Sequence, residues 1–420
     1  MTKKMNFLKT SFYSGISTTV SLITKLITNK IVAIYLSTDG MYILGQLKDF
    51  LKITNVFSNF GTINGTIKYT AEYKDDQTSL KSILGTSFKI HLYFSLIVLL
   101  IILLFNKIIS EYLFGNNNYT TFLIVLGFSI VSISIQALFL SILNGLRQIK
   151  LYVLINIIAT IIGALIIIWL IINYSIKGAL YAFAINQFLA FFITLIVLLV
   201  FKPFNLKLLF SPFKKLQFKK LSQFSIMALI APICLISATF FVRNFLKTEF
   251  DQNHAGSWEG MWRISAMYLL FLTTTFKFYL IPTFSTLSGL ELRKEVFKVW
   301  KFMLPVIIVI ALTIYILRDF VVNTLLDEKF FLISVLIGYQ LLGDTIRINA
   351  WVLGNILISK AKSTAFILFQ IEWALVFSLL SYLLVNQFGF IGVAMAYFGA
   401  YLIHFILMNI YFRKLLWLTN

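Results

Sequence analysis

Twelve apolar runs fill this 420-residue chain, at 10–36, 43–67, 83–105, 119–143, 151–172, 178–201, 221–246, 257–286, 299–317, 331–358, 364–386 and 389–412. A run of about 20 apolar residues crosses the hydrocarbon core of a bilayer. Inside that core every backbone N–H and C=O must be satisfied within the protein, which leaves helices and closed barrels as the only spanning forms. Runs of this length are too long for barrel strands. The sequence therefore predicts an all-α polytopic membrane protein of about 12 transmembrane helices, consistent with a hydrophobic content of 59%.

The formal net charge of +20 could suit nucleic acid, so its placement decides. With Met1 on the cytoplasmic side, the termini and even-numbered connections hold 23 basic residues and the odd-numbered connections hold six, including Arg243 and Lys247. This is the positive-inside bias, which places both termini in the cytoplasm. The basic connections are orientation signals that also meet anionic lipid headgroups. Nucleic-acid binding is not supported. No cleavable signal peptide is evident, because the first apolar run is long and polar-striped. The single cysteine, Cys234, excludes a disulfide framework.

The longest hydrophilic interruption, Lys202 to Leu221, carries Pro203, Pro212 and six lysines. It divides the chain into two sets of six crossings, with domains expected at 1–205 and 206–420. Such a division suggests the internal duplication common in secondary transporters. One local match fits it: Gly45 precedes Lys48 by three positions in the second crossing, as Gly260 precedes Arg263 in the eighth.

Seven basic residues fall within or at the edge of crossings: Lys25, Lys30, Lys48, Lys52, Arg263, Lys277 and Arg347. Polar side chains accompany them at helical spacing, notably Ser14, Thr18, Ser21 and Thr28 around Lys25, and Asn55, Asn59 and Thr62 beyond Lys52. Ionisable groups facing lipid cost several kcal/mol, about 3 each on insertion scales, so these stripes face other helices or a wet cavity. Lys48 and Arg263 are expected one to two turns below the outer surface, Lys52 near mid-bilayer. The bland alternative is snorkelling or pairing with a carboxylate, and it is strongest for Lys30, Lys277 and Arg347. Asp49, Asp344 and Glu372 read as the intramembrane carboxylates, too few to neutralise the cations. Excess cavity cation calls for an anion, and phosphate or pyrophosphate fits. The substrate-binding residues expected are thus Lys25, Lys48, Lys52, Asn55, Asn59, Arg263 and Lys277. Asp344 and Glu372 are either salt-bridge partners or proton or sodium sites coupling transport to an ion gradient. The three histidines match no metal spacing, and no nucleotide-binding or other cofactor motif is present.

Several segments, each weak alone, occur in a specific order: Asn64–Tyr73 (NGTIKYTAEY) with Leu84–Ser87 (LGTS), Leu280–Thr283 (LIPT), Leu317–Phe320 (LRDF), Gln340–Asp344 (QLLGD) and Ser359–Ala361 (SKA). In these the chain resembles, over essentially its whole length, the Wzx-type O-antigen translocases and lipid III flippases of the multidrug/oligosaccharidyl-lipid/polysaccharide exporter superfamily. The resemblance implies two six-helix bundles around a central cavity. The implied activity is movement of an undecaprenyl-diphosphate-linked oligosaccharide from the cytoplasmic to the periplasmic leaflet of the bacterial inner membrane. It implies association with an O-antigen polymerase and a chain-length regulator, and a two-bundle cavity within one chain, needing no partner subunit, predicts a monomer without cofactor. Lys30, Lys48, Asp344 and Arg347 match family positions. Lys25, Lys52, Arg263 and Lys277 match no clear family motif, so their role rests on the physical argument. A lysine at 48, where relatives often carry arginine, keeps the point charge for phosphate and loses the bidentate fork.

Two rivals follow from the same sequence. A multidrug or cation exporter of the superfamily would hold its cargo on buried carboxylates, which here are outnumbered. A membrane-embedded polymerase or ligase would need a large outer loop, and the outer connections 247–257 and 319–329 are short.

Overall fold

The computed structural model describes residues 7–360 and 362–418, excepting the side chains of 7–14, 223, 224, 227, 271–279, 281, 282, 285 and 286. The described residues are almost entirely helical and contain no strand. In chain order the helices are α1 (Phe7–Ser58), α2 (Ile63–Glu72), α3 (Gln77–Phe114), α4 (Thr120–Gly145), α5 (Ile149–Phe201), α6 (Lys215–Glu249), α7 (Gln252–Thr286), α8 (Gly289–Ile316), α9 (Arg318–Leu325), α10 (Ile333–Ser359), α11 (Ser363–Phe388), α12 (Gly392–Tyr411) and α13 (Arg413–Leu416).

Eight helical stretches are long and apolar enough to cross a membrane, and three of them are long enough to cross twice: Gly15–Ser58 with 44 residues, Ile149–Phe201 with 53 and Ser363–Tyr411 with 49. Each of the three bends once, at Ser37 (φ 57°), Ser175 (φ 52°) and Gly389 (φ 70°). With the 35-residue α7, made more polar by Glu259, Arg263 and Lys277, the described residues supply the twelve crossings that the apolar runs predict. The bends share a pattern absent from the sequence reading: a serine or glycine with positive φ, then a glycine three residues on (Gly40, Gly178, Gly392). A β-carbon at Gly178 would run into the carbonyl of Leu170, and one at Gly392 into that of Leu384, eight residues upstream in both cases. The same hairpin is thus built at the fifth-to-sixth and the eleventh-to-twelfth connections, positions that a duplication would pair.

The second crossing departs from expectation. It was placed through residue 67, but α1 ends at Ser58, and Phe60 (φ 50°) and Gly61 (φ 61°) turn the chain into α2. The Asn59 amide nitrogen donates to the Asn55 carbonyl at 2.6 Å, and its oxygen accepts the Gly61 N–H at 2.9 Å. Buried His91 of α3 meets Thr62 Oγ1 at 3.3 Å and the Ser134 carbonyl at 2.8 Å, while the Ser134 hydroxyl donates to the Ser58 carbonyl at 2.9 Å. Backbone groups at the break are therefore satisfied by Asn59 and by Ser134 of α4, with His91 of α3 braced against both sides, as an irregular segment at membrane depth requires.

The chain forms two compact units, one of residues up to Leu36 with Gln46–Pro232, the other of Ser37–Gly45 with the residues from Ile233 onward. In the first, α4 packs between α3 and α5 around Ile83, Leu84, Leu138, Ile142, Ile155 and Leu198. Buried hydroxyls pair between helices of this unit, with Ser129 of α4 donating to Gln187 of α5 at 2.9 Å and Thr66 of α2 meeting Ser87 of α3 at 3.2 Å. Such bonds hold helices together where lipid is as apolar as leucine, at about 0.6 kcal/mol each. In the second unit α10 is central, packing on α7, α8 and α12 around Phe284, Val296, Ile307, Ile348, Val352 and Leu353.

Candidate functional site

The first unit's basic residues lie on α1. Lys48 stands ten residues past the Thr38 that follows the bend, about 15 Å of helical rise, and is half-buried. Lys52, one turn on, shares its face and has a side chain 46% exposed. The sequence reading counted Lys52 as uncompensated, and the structure corrects this. Asp49, nearly inaccessible, binds Lys52 Nζ at 3.3 Å. The i,i+3 spacing brings them together. Lys25 is exposed on the α1 segment before the bend. Asn55 is half-buried. Asn59 is buried, and its amide bonds the Asn55 carbonyl and the Gly61 N–H at the helix break.

In the second unit one carboxylate gathers two guanidinium groups. Glu259 on α7 accepts from Arg243 of α6 at 2.8 Å through Oε2 and from Arg263, one turn along α7, at 3.4 Å through Oε1. Side-chain exposure is 2% for Arg243, 3% for Glu259 and 11% for Arg263. The triad carries one net positive charge, and Arg263 is its member nearest an accessible surface. Gly45 makes room for it, since a β-carbon there would lie 2.9 Å from Arg243 Nε and 3.0 Å from the Glu259 carboxyl. Sequence reading missed two of the three groups. Arg243 was assigned to an outer connection but is buried in α6, and Glu259 was left out of the intramembrane carboxylates. The signal was available, because Glu259 and Arg263 have i,i+4 spacing. Lys277 lies on α7, with its side chain outside the described residues.

Asp344 binds Arg347 as its i,i+3 spacing predicts, at 3.8 Å. It also accepts from Ser265 of α7 at 2.7 Å, from Tyr397 of α12 at 2.6 Å, and from Tyr268. Arg347 donates to Tyr397 Oη at 2.9 Å and lies over the Trp351 ring at 4.4 Å and the Tyr401 ring at 5.4 Å. This buried network ties α7, α10 and α12 together. Glu372 on α11 bonds His404 of α12, Oε2 to Nδ1, at 2.6 Å. The sequence offered no link between these two, which the α11–α12 hairpin brings together. Among the described residues no group of three or more His, Cys, Asp or Glu side chains could hold a metal ion.

Comparison with known proteins follows the same lines. Residues 7–288 match the family described as polysaccharide biosynthesis protein. The chain is 30% identical over 405 residues to the lipid III flippase of Escherichia coli K12, covering 96% of this chain and 97% of that one. Among solved structures it superposes on an inward-facing multidrug resistance MATE family transporter of the MOP superfamily with a TM-score of 0.79 at 13% identity, over 99% of this chain and 97% of that one. It superposes on the lipid II flippase MurJ in an inward closed conformation with a TM-score of 0.69 at 15% identity, over 97% and 87%. At such identities these two likenesses establish the fold alone. The family match and the full-length relative establish more: this multi-pass membrane protein belongs to the polysaccharide biosynthesis protein family.

Proposed function

We propose that this chain is a flippase that carries an undecaprenyl-diphosphate-linked oligosaccharide from the cytoplasmic to the periplasmic leaflet of a bacterial inner membrane, with both termini cytoplasmic. The observation that carries the reading is the full-length likeness to the E. coli lipid III flippase, which spans nearly all of both chains. The charge arrangement supports it physically. A diphosphate taken into low dielectric loses hydration worth tens of kcal/mol unless fixed charge replaces it. Lys48 and Arg263 are the residues proposed to meet the diphosphate, with Lys25, Lys52 and Lys277 along its route. Asn55 and the hydroxyl stripe around Thr18 and Ser21 meet the sugars, while the polyprenyl tail stays in lipid. Alternating exposure of the headgroup to the two sides moves it without covalent chemistry. The polymerase that extends the glycan and the chain-length regulator are the protein partners that this role implies.

The carboxylates favour an anionic over a cationic cargo. Asp49, Glu259 and Asp344 each already hold a lysine or arginine, so none of these three offers an open seat to a drug cation. The test is expression in a strain lacking its own flippase, supplied with a defined lipid-linked glycan. The expected result is periplasmic appearance of the glycan. Drug resistance without glycan export would overturn the reading.

A further inference from the structure

The segment that follows α5 is built onto the first unit along its length. Asn205 opens a short 3-10 helix, Leu206–Phe210, by accepting the Lys207 N–H at 3.0 Å. Leu209 is buried in the core of that unit, and the short helix packs along α3. Gly85 of α3 permits the approach, since a β-carbon there would lie 2.7 Å from the Ser211 carbonyl oxygen. Thr86 Oγ1 accepts the Lys214 N–H at 3.2 Å, and the Phe210 ring meets Phe88 edge-on at 5.5 Å. At the start of α6 the Lys220 ammonium donates to Tyr73 Oη of the residue that ends α2, at 2.7 Å. Residues 205–220 are thus held in one shape, and Pro203 and Pro212 restrict the backbone further.

This fixed segment turns both charge and apolar surface outward. Phe210, Phe213 and Leu216 are 73%, 47% and 66% exposed, and exposed Lys207, Lys214 and Lys215 stand among them. No Asp or Glu occurs from Tyr112 through Thr248, so the segment brings no carboxylate of its own. Of the acids before α3, Asp75 meets Lys74 at 3.7 Å and Asp76 caps the helix. The basic start of α8 is different. Its Arg293, Lys294, Lys298 and Lys301 are interleaved with Glu291 and Glu295, and Lys298 binds Glu295 at 3.6 Å. One basic stretch is partly self-neutralised, and the other is not.

Cations beside exposed aromatic and aliphatic side chains fit a ligand that is anionic at one end and apolar at the other. A soluble phosphate would satisfy the lysines and leave Phe210, Phe213 and Leu216 in water. A phospholipid satisfies both, with acyl chain against the rings and lysine stems and the ammonium groups at the phosphate. We propose that Lys207, Lys214 and Lys215, with Phe210, Phe213 and Leu216, form a binding site for an anionic phospholipid of the phosphatidylglycerol class. It lies at the headgroup level of the leaflet that the proposed orientation makes cytoplasmic, and it anchors the first unit there. The site stands independently of the flippase reading.

The test titrates the purified full-length chain, in a non-ionic detergent, with phosphatidylglycerol and separately with phosphatidylcholine, counting bound lipid by native mass spectrometry. The wild type should hold phosphatidylglycerol in preference. A basic residue near an anionic surface contributes about fivefold, so K207Q/K214Q/K215Q should weaken that binding on the order of 100-fold. K207R/K214R/K215R should restore it. F210S/F213S should weaken it roughly tenfold through lost apolar contact. K294Q/K298Q/K301Q, the same change of charge on α8, should leave it in place, and unchanged thermal midpoints show that the variants are folded. An equal loss in the α8 variant would reduce the site to diffuse surface charge and overturn it. Displacement by inorganic phosphate, or no effect of F210S/F213S, would make it a phosphate site and overturn the lipid assignment. Preference for undecaprenyl diphosphate over phosphatidylglycerol, lost in K207Q/K214Q/K215Q, would assign the site to the carrier and overturn it as well.

Discussion

Replacing Glu259 by glutamine isolates what a shared carboxylate contributes inside the second unit. The substitution keeps the shape and removes the charge, taking from Arg243 and Arg263 the carboxylate they share. The contact to Arg243 is short, at 2.8 Å, and both side chains are at most 3% exposed, which places it among the buried pairs whose disruption costs about 3–5 kcal/mol. The contact to Arg263, at 3.4 Å with 11% exposure, adds about 1 kcal/mol. A loss of roughly 4–6 kcal/mol is a large fraction of the about 5–15 kcal/mol that holds a typical domain together. Lys52→Ala provides the contrast. It also breaks an ion pair, but one whose lysine is itself 46% exposed, and should cost at most about 1 kcal/mol. Denaturation in detergent, followed by tryptophan fluorescence, reads both. Replacing Arg243 by methionine in the Glu259→Gln background should recover much of the loss, because an apolar substitute for a buried pair is often near neutral. Equal midpoint shifts for Glu259→Gln and Lys52→Ala would refute the burial argument, as would a double variant worse than the single one.

Other outcomes follow from the same geometry. Gly45→Ala changes no charge, yet pushes a methyl against Arg243 and Glu259 and should destabilise by about 1–3 kcal/mol, as overpacking does, measured by the same denaturation. Lys48→Ala and Arg263→Ala should abolish surface glycan assembly with protein levels normal on immunoblots, while Lys48→Arg should support it; full complementation by both alanine variants would exclude the anion-binding role. Asp76 caps α3 outside the membrane, and hydrogen bonds led by those from Ser79 and Thr78 hold its carboxyl down to about 2. Because the folded value lies below the ordinary carboxylate range, this cap is complete above about pH 4 and is lost as pH falls toward 2. Amide exchange at Thr78 and Ser79, corrected for its intrinsic pH dependence, should quicken across that window and not in Asp76→Asn.

The twelve crossings were legible because an apolar run of bilayer length has few other fates, and the structure places bends at Ser37, Ser175 and Gly389 where the runs are interrupted. The break at Asn59 was not legible. Asn55, Asn59 and Thr62 recur at helical spacing, and only the partners on α3 and α4 turn that stripe into a stop. Asp344–Arg347 was readable as an i,i+3 pair, but the hydroxyls of Ser265, Tyr268 and Tyr397 come from helices about 50 to 80 residues away in sequence. Glu259 escaped because its segment drew attention for glycine and arginine, and Arg243 because charge near a span boundary reads as a connection. His404 looked inert: a histidine far from the other two is a poor metal ligand, and its pairing with Glu372 depends on a hairpin that no local pattern encodes.

On the proposed flippase reading, charge sets what drives export. A diphosphate diester carries two negative charges, and an interior-negative membrane potential pushes them outward with about 2.3 kcal/mol per charge per 100 mV, roughly 4.6 kcal/mol in all. In vesicles the steady leaflet ratio should therefore change tenfold per about 59 mV for each charge moved, raised to the power of two. Lys48→Ala, if Lys48 lowers the barrier and does not change the charge moved, should approach that ratio more slowly and keep the slope. A slope altered by Lys48→Ala would show that the charge ledger is wrong.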